Sequence, residues 1–379
     1  MGLSCCAILV NYRDAAEIVA AVESVLADAP GIEVRVVDNS DDDREWALLQ
    51  SLLPPSVHSH RADGNIGFGR GCNLALQASS ADCFFLVNPD VRLVKGCTAA
   101  LVDVLARDAT LGAVAPRQFL DAALQWRLPP SWLPTAVRAW ATERARREPA
   151  IRDRVRHATG AEALRSWQAR HTPLRQRALS GGAVIVHRRV LDAGGNLFDP
   201  RFFMYFEDSD LCLRLRRQGW GMAMAPEAQA VHAWRNAPHK QGLMEAGAAI
   251  YFSKHYAGDR WLHKAHQLQH VPPGPLGDLE QPGQRTADGI ELEVPTALQQ
   301  GWVLELSPDP LRQIGVGHLG TGARAFASYQ TLAHFGEGAV FARLRSSGGG
   351  QERNAGSELL ARFHPPYGSP REAGAHPSA

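Results

Sequence analysis

An α/β domain with a largely parallel sheet, followed by a small β-rich module, is the fold class this sequence predicts. Three observations carry the prediction. Short apolar runs alternate with stretches of helical spacing from Cys6 to Ala115. Polar residues stand directly after the strand ends, at Asn11, Asp38, Asn88 and Asp90, where open α/β sheets take their ligands. Beyond Ile290 the apolar residues alternate at a period of two, and glycines punctuate the runs.

The elements follow in order. Cys6 to Asn11 is a continuous apolar run and predicts a buried strand. Asp14 to Ala27 places Ile18, Val19, Val22, Val25 and Leu26 at helical spacing. Ile32 to Asp38 is the second strand, and Trp46 to Leu53 the second helix. Asn73 to Ala78 predicts a helix, Cys83 to Val87 a central strand, Thr98 to Arg107 a helix and Ala113 to Ala115 a short strand. From about 127 to 177 the composition turns to arginine, with Trp126, Trp132, Trp140 and Trp167 interleaved; the Ala-rich part from Thr135 to Arg170 predicts helix. Such a segment is either a solvated helical insertion or a basic, aromatic surface for an anionic lipid, a pyrophosphate or a membrane face. Ala183 to Val186 resumes the core as a strand. The domain boundaries expected are 1–258 for the α/β domain, 259–285 for a Pro/Gly-rich linker, 286–345 for the β-rich module and 346–379 for a disordered tail.

Composition excludes several classes. The chain has 379 residues, 45% hydrophobic and 21% charged, with a formal net charge of +1, so no global field points to nucleic acid. Met1 to Val10 is too short and too uncharged for a signal peptide, and no apolar run approaches the ~20 residues that span a bilayer. Six scattered cysteines without a C-x-x-C pair predict buried reduced thiols. The expectation is a cytoplasmic protein, at most peripheral on the inner membrane face.

The richest stretch runs from Arg201 to Trp220. An aromatic run, Phe202, Phe203, Tyr205 and Phe206, precedes three acids, Glu207, Asp208 and Asp210, which open an amphipathic helix. Acids at a helix N-terminus can be simple capping. Acids against an apolar wall can instead have raised pKa values and serve as bases. Val36-Val-Asp-Asn-Ser40 ends a buried strand with an acceptor and an amide; Asp38 can take an imide N–H from a uracil or thymine ring, or can form a turn. Gly64-Asn-Ile-Gly-Phe-Gly-Arg-Gly-Cys-Asn73 opens a helix with a flexible, phosphate-compatible backbone. It lacks the full dinucleotide fingerprint and the P-loop Lys-Ser/Thr pair. Asn88-Pro-Asp90 sets a carboxylate past a central strand, where it can hold a divalent cation together with diphosphate oxygens. His232 follows a further apolar stretch and is either structural or a metal ligand.

Taken in order, Val10-Asn-Tyr12, Val37-Asp-Asn-Ser40, the Gly64–Asn73 loop, Leu86-Val-Asn-Pro-Asp90, Ser180-Gly-Gly-Ala183 and Phe203 to Cys212 resemble the family-2 glycosyltransferases, above all their bacterial rhamnosyltransferase-like branch. The resemblance spans about Cys6 to Tyr256. It implies a GT-A, Rossmann-like nucleotide-diphospho-sugar transferase domain, an inverting reaction, a nucleotide-diphosphate sugar donor and a Mg²⁺ or Mn²⁺ cofactor. It implies Asp208 as catalytic base, and Asp90 and His232 as metal ligands. Asn11, Asp38, Asn65, Gly67, Arg70, Asn73 and Asn88 would meet the donor, and Gly181, Gly182, Glu207 and Asp210 the sugar or acceptor. Rhamnose is the first donor sugar it brings forward, with a glycan or lipid-linked acceptor in surface polysaccharide synthesis. The rival from another class is a non-catalytic glycan or nucleotide-sugar binding protein that kept the fold.

Overall fold

The computed structural model describes residues 2–235, 240–275, 284–336, 338–348 and 358–363. Two compact units emerge, one of residues 1–233 and 238–273, the other of 234–237 and 274–379.

Among the described residues the first unit holds nine strands and nine α-helices: β1 Cys5–Asn11, α1 Ala15–Asp28, β2 Glu33–Asp38, α2 Asp43–Leu52, β3 His58–Arg61, α3 Phe68–Gln77, β4 Cys83–Val87, β5 Val91–Leu93, α4 Cys97–Arg107, β6 Leu111–Phe119, α5 Ala136–Ala145, α6 Pro149–Gln168, β7 Leu174–Gln176, β8 Ala183–His187, α7 Glu207–Arg217, β9 Gly221–His232, α8 Lys240–Tyr256 and α9 Arg260–Gln269. They form one sheet in the order β3-β2-β1-β4-β8-β6-β9-β5, with β7 paired to β9. The β3-β2-β1-β4 half is parallel, and β8 runs antiparallel between β4 and β6. The α/β class with a parallel-rich sheet is as the sequence predicts.

Burial explains the pattern. Ile8, Val10, Phe84 and Leu86 face one core together with Leu76, Phe198, Phe202 and Leu215. Leu9, Val34, Val36, Phe85 and Ile185 face the other, with Ile18, Val22 and Leu101 from the helices. A strand buried on both faces reads as a continuous apolar run, which is what made β1 and β4 legible. Asp14 caps α1 by accepting from Glu17 N–H, which fixes where the first helix begins. The six cysteines are free, and five of them are buried.

Several elements depart from the expected boundaries. Helix α3 starts at Phe68, because Gly67 at φ +86° caps it and Phe68 N–H bonds the Phe203 carbonyl. Strand β9 runs twelve residues through Pro226, which a register shift between Ala225 and Gln229 accommodates. The expected linker from 259 opens with α9, capped by Asp259, and α9 packs on α5. The Arg-rich insertion is helical as α5 and α6.

The second unit is β-rich, as expected of the C-terminal module. Gln284–Arg285, Gly289–Glu293 and Arg324–Ser328 form a three-stranded antiparallel sheet. Val316–Gly320, Trp302–Ser307, Val340–Ser346 and Glu358–Phe363 form a four-stranded one. The last of these strands lies inside the stretch expected as a disordered tail, where it pairs residue by residue with Val340–Ser346; the rest of that stretch beyond Gly348 lies outside the described residues.

Candidate active site

The carboxyl ends of β2, β1 and β4 lie side by side, and their polar residues converge there. Asp38 is wholly buried. Its Oδ1 accepts from Asn11 Nδ2 at 2.9 Å, from Ser40 Oγ at 2.5 Å and from Ser40 N–H at 3.2 Å. Its Oδ2 has no partner. Asn39, buried beside it, donates to the Gly67 carbonyl at 3.0 Å and leaves Oδ1 without a partner. Asn88 likewise leaves Oδ1 buried and unpaired at the end of β4. An orphaned buried polar atom costs roughly 1–3 kcal/mol. Three of them, at the ends of the β2 and β4 strands that flank β1, suit a polar ligand.

The Gly-rich loop is docked rather than free. Gly67 is the position that demands glycine, since a Cβ there would lie 2.3 Å from the Phe203 carbonyl oxygen. Asn65 accepts Gly67 N–H at 3.2 Å and shapes the turn. Arg70 spends Nε on the Pro200 carbonyl at 2.7 Å. Asn73 donates to Phe198 O and accepts from Leu197 and Phe198 N–H, so its amide holds the 197–198 segment. The loop therefore ties β1 and β2 to the aromatic run before α7.

That run is strained. Tyr205 and Phe206 both adopt left-handed backbone, at φ 69° and 66°. Each costs about 1–2 kcal/mol for a non-glycine residue. Phe206 packs on Tyr251 at 5.6 Å and Phe252 at 6.4 Å between ring centroids, which keeps the turn in place. The turn delivers Glu207 and Asp208 to the start of α7.

The three acids of α7 differ in setting. Glu207 is buried with Oε2 unpaired; burial first, then the charge of Asp208, pushes its pKa up to about 8. Asp208 is half-buried, with Oδ1 on Ser209 N–H at 2.6 Å and Oδ2 3.4 Å from Gly181 N. An apolar hollow lined by Leu179, Val184, Phe198 and Leu211 abuts it. Desolvation raises its pKa against the pull of those backbone N–H groups. Asp210 sits two residues along the helix and so faces the other way. It is fully buried in an ion-paired cluster with Arg214 at 2.8 Å, Lys254 at 2.5 Å and His255 at 2.7 Å. Burial opposes its charge, and hydrogen bonds from Lys254, Arg214 and His255 with the charge of Arg214 overcome it and hold the pKa low. Its carboxylate is committed to tying α7 to α8.

Asp90 and His232 meet across the sheet. Val91 pairs with His232, and His232 Nε2 lies 3.3 Å from Asp90 Oδ1. His232 Nδ1 is 2.7 Å from Gln118 Oε1; the amide oxygen can only accept, so Nδ1 carries a proton and Nε2 is the nitrogen turned to Asp90. Burial raises the Asp90 pKa, but hydrogen bonding and charge from His232 prevail and hold it low. Gly182 allows this arrangement: a Cβ there would lie 2.6 Å from His232 Cε1. Gly182 also bonds Asn88 through its carbonyl, which fastens the Ser180–Gly182 turn to the Asn88–Asp90 turn. Adjacent ligand atoms on an octahedral ion with bonds near 2.1 Å sit about 3 Å apart, so the 3.3 Å separation fits a pair of divalent-cation ligands. Among the described residues no third His, Cys, Asp or Glu joins them.

The residues missed by sequence reasoning are Asn39, Gln118 and the Tyr205–Phe206 turn. Asn39 carried a signal, an amide beside Asp38 at a strand end. Gln118 carried none, since its role depends on a register 114 residues long in sequence separation.

The model of the family described as glycosyl transferase family 2 matches residues 6–172. Two curated relatives, N-acetylglucosaminyl-diphospho-decaprenol L-rhamnosyltransferases from Mycobacterium tuberculosis strains CDC 1551 / Oshkosh and ATCC 25618 / H37Rv, are each 28% identical, over 55% of this chain and 68% of theirs. Among solved structures, GalNAc-T7 with UDP, GalNAc and Mn2+ superposes with a TM-score of 0.48 at 14% identity, over 73% of this chain and 53% of that one. Mannosyltransferase PcManGT from Pyrobaculum calidifontis, in complex with GDP-Man and Mn2+, gives 0.44 at 15%, over 71% and 74%. The matched region runs from β1 through the Asn88–Asp90 turn to α6, and over it this chain is similar to glycosyl transferase family 2.

Proposed function

We propose that the protein is an inverting glycosyltransferase that moves a sugar, rhamnose in the first instance, from a thymidine or uridine diphosphate donor to a lipid-linked diphospho-sugar acceptor. The observation that supports it most is the row of unpaired buried polar atoms, Asp38 Oδ2, Asn39 Oδ1 and Asn88 Oδ1, leading to the raised carboxyls of Glu207 and Asp208. Asp38 accepts the imide N–H of the base, with Asn11 and Ser40 fixing its other oxygen. Asn39 and Asn88 meet the ribose or phosphates. Asp90 and His232 hold a divalent cation, which when bound offsets charge on the leaving diphosphate.

Asp208 takes the proton from the acceptor hydroxyl, which then attacks the anomeric carbon opposite the diphosphate. Asp208 has the exposure for this and Glu207 does not. Glu207, with its pKa near 8, stays protonated at neutral pH and leaves the carboxylate charge to Asp208. Metal dependence, the choice of rhamnose and the diphospho-lipid acceptor extend the family likeness; they draw on the ligand geometry above and on the activity for which the mycobacterial relatives are named.

The test is hydrolysis of nucleotide sugars by the purified protein with Mg²⁺ or Mn²⁺, then transfer to a diphospho-lipid-linked sugar. Turnover with a thymidine or uridine diphosphate sugar supports the reading. Tight binding without any turnover would favour the non-catalytic binding protein instead.

A further inference from the structure

One cluster of charges lies outside the site and has no role in the chemistry above. Alternation along β6 sends Gln118 to one face of the strand and Arg117 and Phe119 to the other. Arg127 bridges back to Phe119, and its guanidinium lies 5.7 Å from the Phe119 ring centre. Trp167 Nε1 donates to Leu128 O at 2.9 Å and pins the end of α6 to this turn. Arg117 Nη2 donates to Ser166 O and Ala169 O, and Arg170 follows at the next position. Three arginines thus gather where α6 stops.

None of the three has a carboxylate partner among the described residues. The helix-end carbonyls account for one nitrogen of Arg117 and for nothing on Arg127, whose Nε is buried without a hydrogen-bond partner. Burial, then the charge of Arg127, draws Arg117 down to about 10; burial, then Arg170, lowers Arg127. Two half-buried guanidiniums and the exposed Arg170, which repel one another and keep free N–H groups, are arranged for an oxyanion that accepts from several at once, and a phosphoryl group fits that fork. The diphosphate of the proposed donor would lie on the other face of β6, where Gln118 meets His232.

We propose that Arg117, Arg127 and Arg170 form a second phosphate site, which holds the phosphoryl group of the acceptor. The assignment to the acceptor rests on the glycosyl-transfer reading. The phosphate chemistry stands without it.

The test uses the full chain and inorganic pyrophosphate in the presence of chelator, followed by calorimetry. Wild type should bind one pyrophosphate. Arg127→Gln/Arg170→Gln should weaken it by about tenfold or more, the loss expected for charge-assisted hydrogen bonds, and Asp90→Ala should leave it unchanged. Arg170→Gln alone, at an exposed position, should weaken it in part and covers the case in which the double variant unfolds. Wild-type affinity in both variants, or loss through Asp90→Ala, overturns the proposal. Vesicles of phosphatidylglycerol separate the sources: if the arginine variants lose vesicle binding while pyrophosphate affinity is untouched, the partner is a lipid surface and the acceptor assignment is overturned. Absence of nucleotide-sugar hydrolysis in the wild type would defeat the glycosyl-transfer reading and leave the pyrophosphate result standing, so the two failures are distinct.

Discussion

His232 Nε2 lies 3.3 Å from Asp90 Oδ1 while its Nδ1 is held by Gln118. A cation ligand needs its lone pair aimed, and here a glutamine amide on a neighbouring strand does the aiming. Chelator should therefore abolish donor turnover, and Mg²⁺ or Mn²⁺ should restore it. Asp90→Ala should lose activity while melting like wild type. Gln118→Ala should weaken metal affinity by roughly 10–100-fold, as loss of such a supporting partner does. Metal titration of the recovered activity measures all of these. Full turnover in chelator would remove the metal from the account.

Glu207 predicts an unusual pH dependence of stability. Its folded pKa, about 8, stands above that of an unfolded glutamate, so the folded state holds the extra proton between those values. Stability should fall as pH rises from about 5 to 8 and level off above. Glu207→Gln should remove most of that slope and melt higher than wild type at pH 8. Thermal melts of both proteins across this range are the check; parallel curves would mean that Glu207 titrates normally.

Asp210 should behave in the opposite sense. Its depressed pKa gives stability that is present above the unfolded value and lost as pH falls through the folded one. Asp210→Asn strips the carboxylate from Arg214, Lys254 and His255 and should cost on the order of 3–5 kcal/mol, the usual penalty for breaking a buried ion pair. Denaturant unfolding reads this directly. A stable Asp210→Asn that has lost only transfer would return Asp210 to the acceptor role implied by the sequence resemblance.

The second unit is expected to assist acceptor or protein binding rather than catalysis, because the site residues discussed above lie in the first. A chain shortened to residues 1–275 should fold and still hydrolyse donor. A shortened chain with a native melt and no hydrolysis would place a needed residue beyond 275.

Legibility followed burial and locality. Strands buried on both faces, β1, β4 and β8, were visible as apolar runs, and β2 by its alternating valines. The edge strand β3, His58-Ser-His-Arg61, has no apolar residue to show, and β9 is broken in sequence by Pro226 and Glu227. Helix α9 hid among the signals of a linker because its charged face is exposed and Ala265 is its one fully buried residue. The site was legible wherever a motif is local: Asp38, Asn88, Asp90 and the Glu207–Asp208 pair. What the sequence could not show was which acid faces where. Helix phase and the α8 partners Lys254 and His255 separate Asp210 from Asp208, and neither can be read from three acids in four positions.

The central claim is that Asp208 is the base of a glycosyl transfer. The most direct measurement compares Asp208→Asn with wild type in sugar transfer under saturating donor, alongside nucleotide affinity. Removal of a general base costs about 10²–10⁴-fold in rate. The account predicts a fall of that size with nucleotide affinity near wild type, and a smaller fall for Glu207→Gln. Near-normal transfer by Asp208→Asn, with loss in Glu207→Gln, would contradict it and move the role to Glu207.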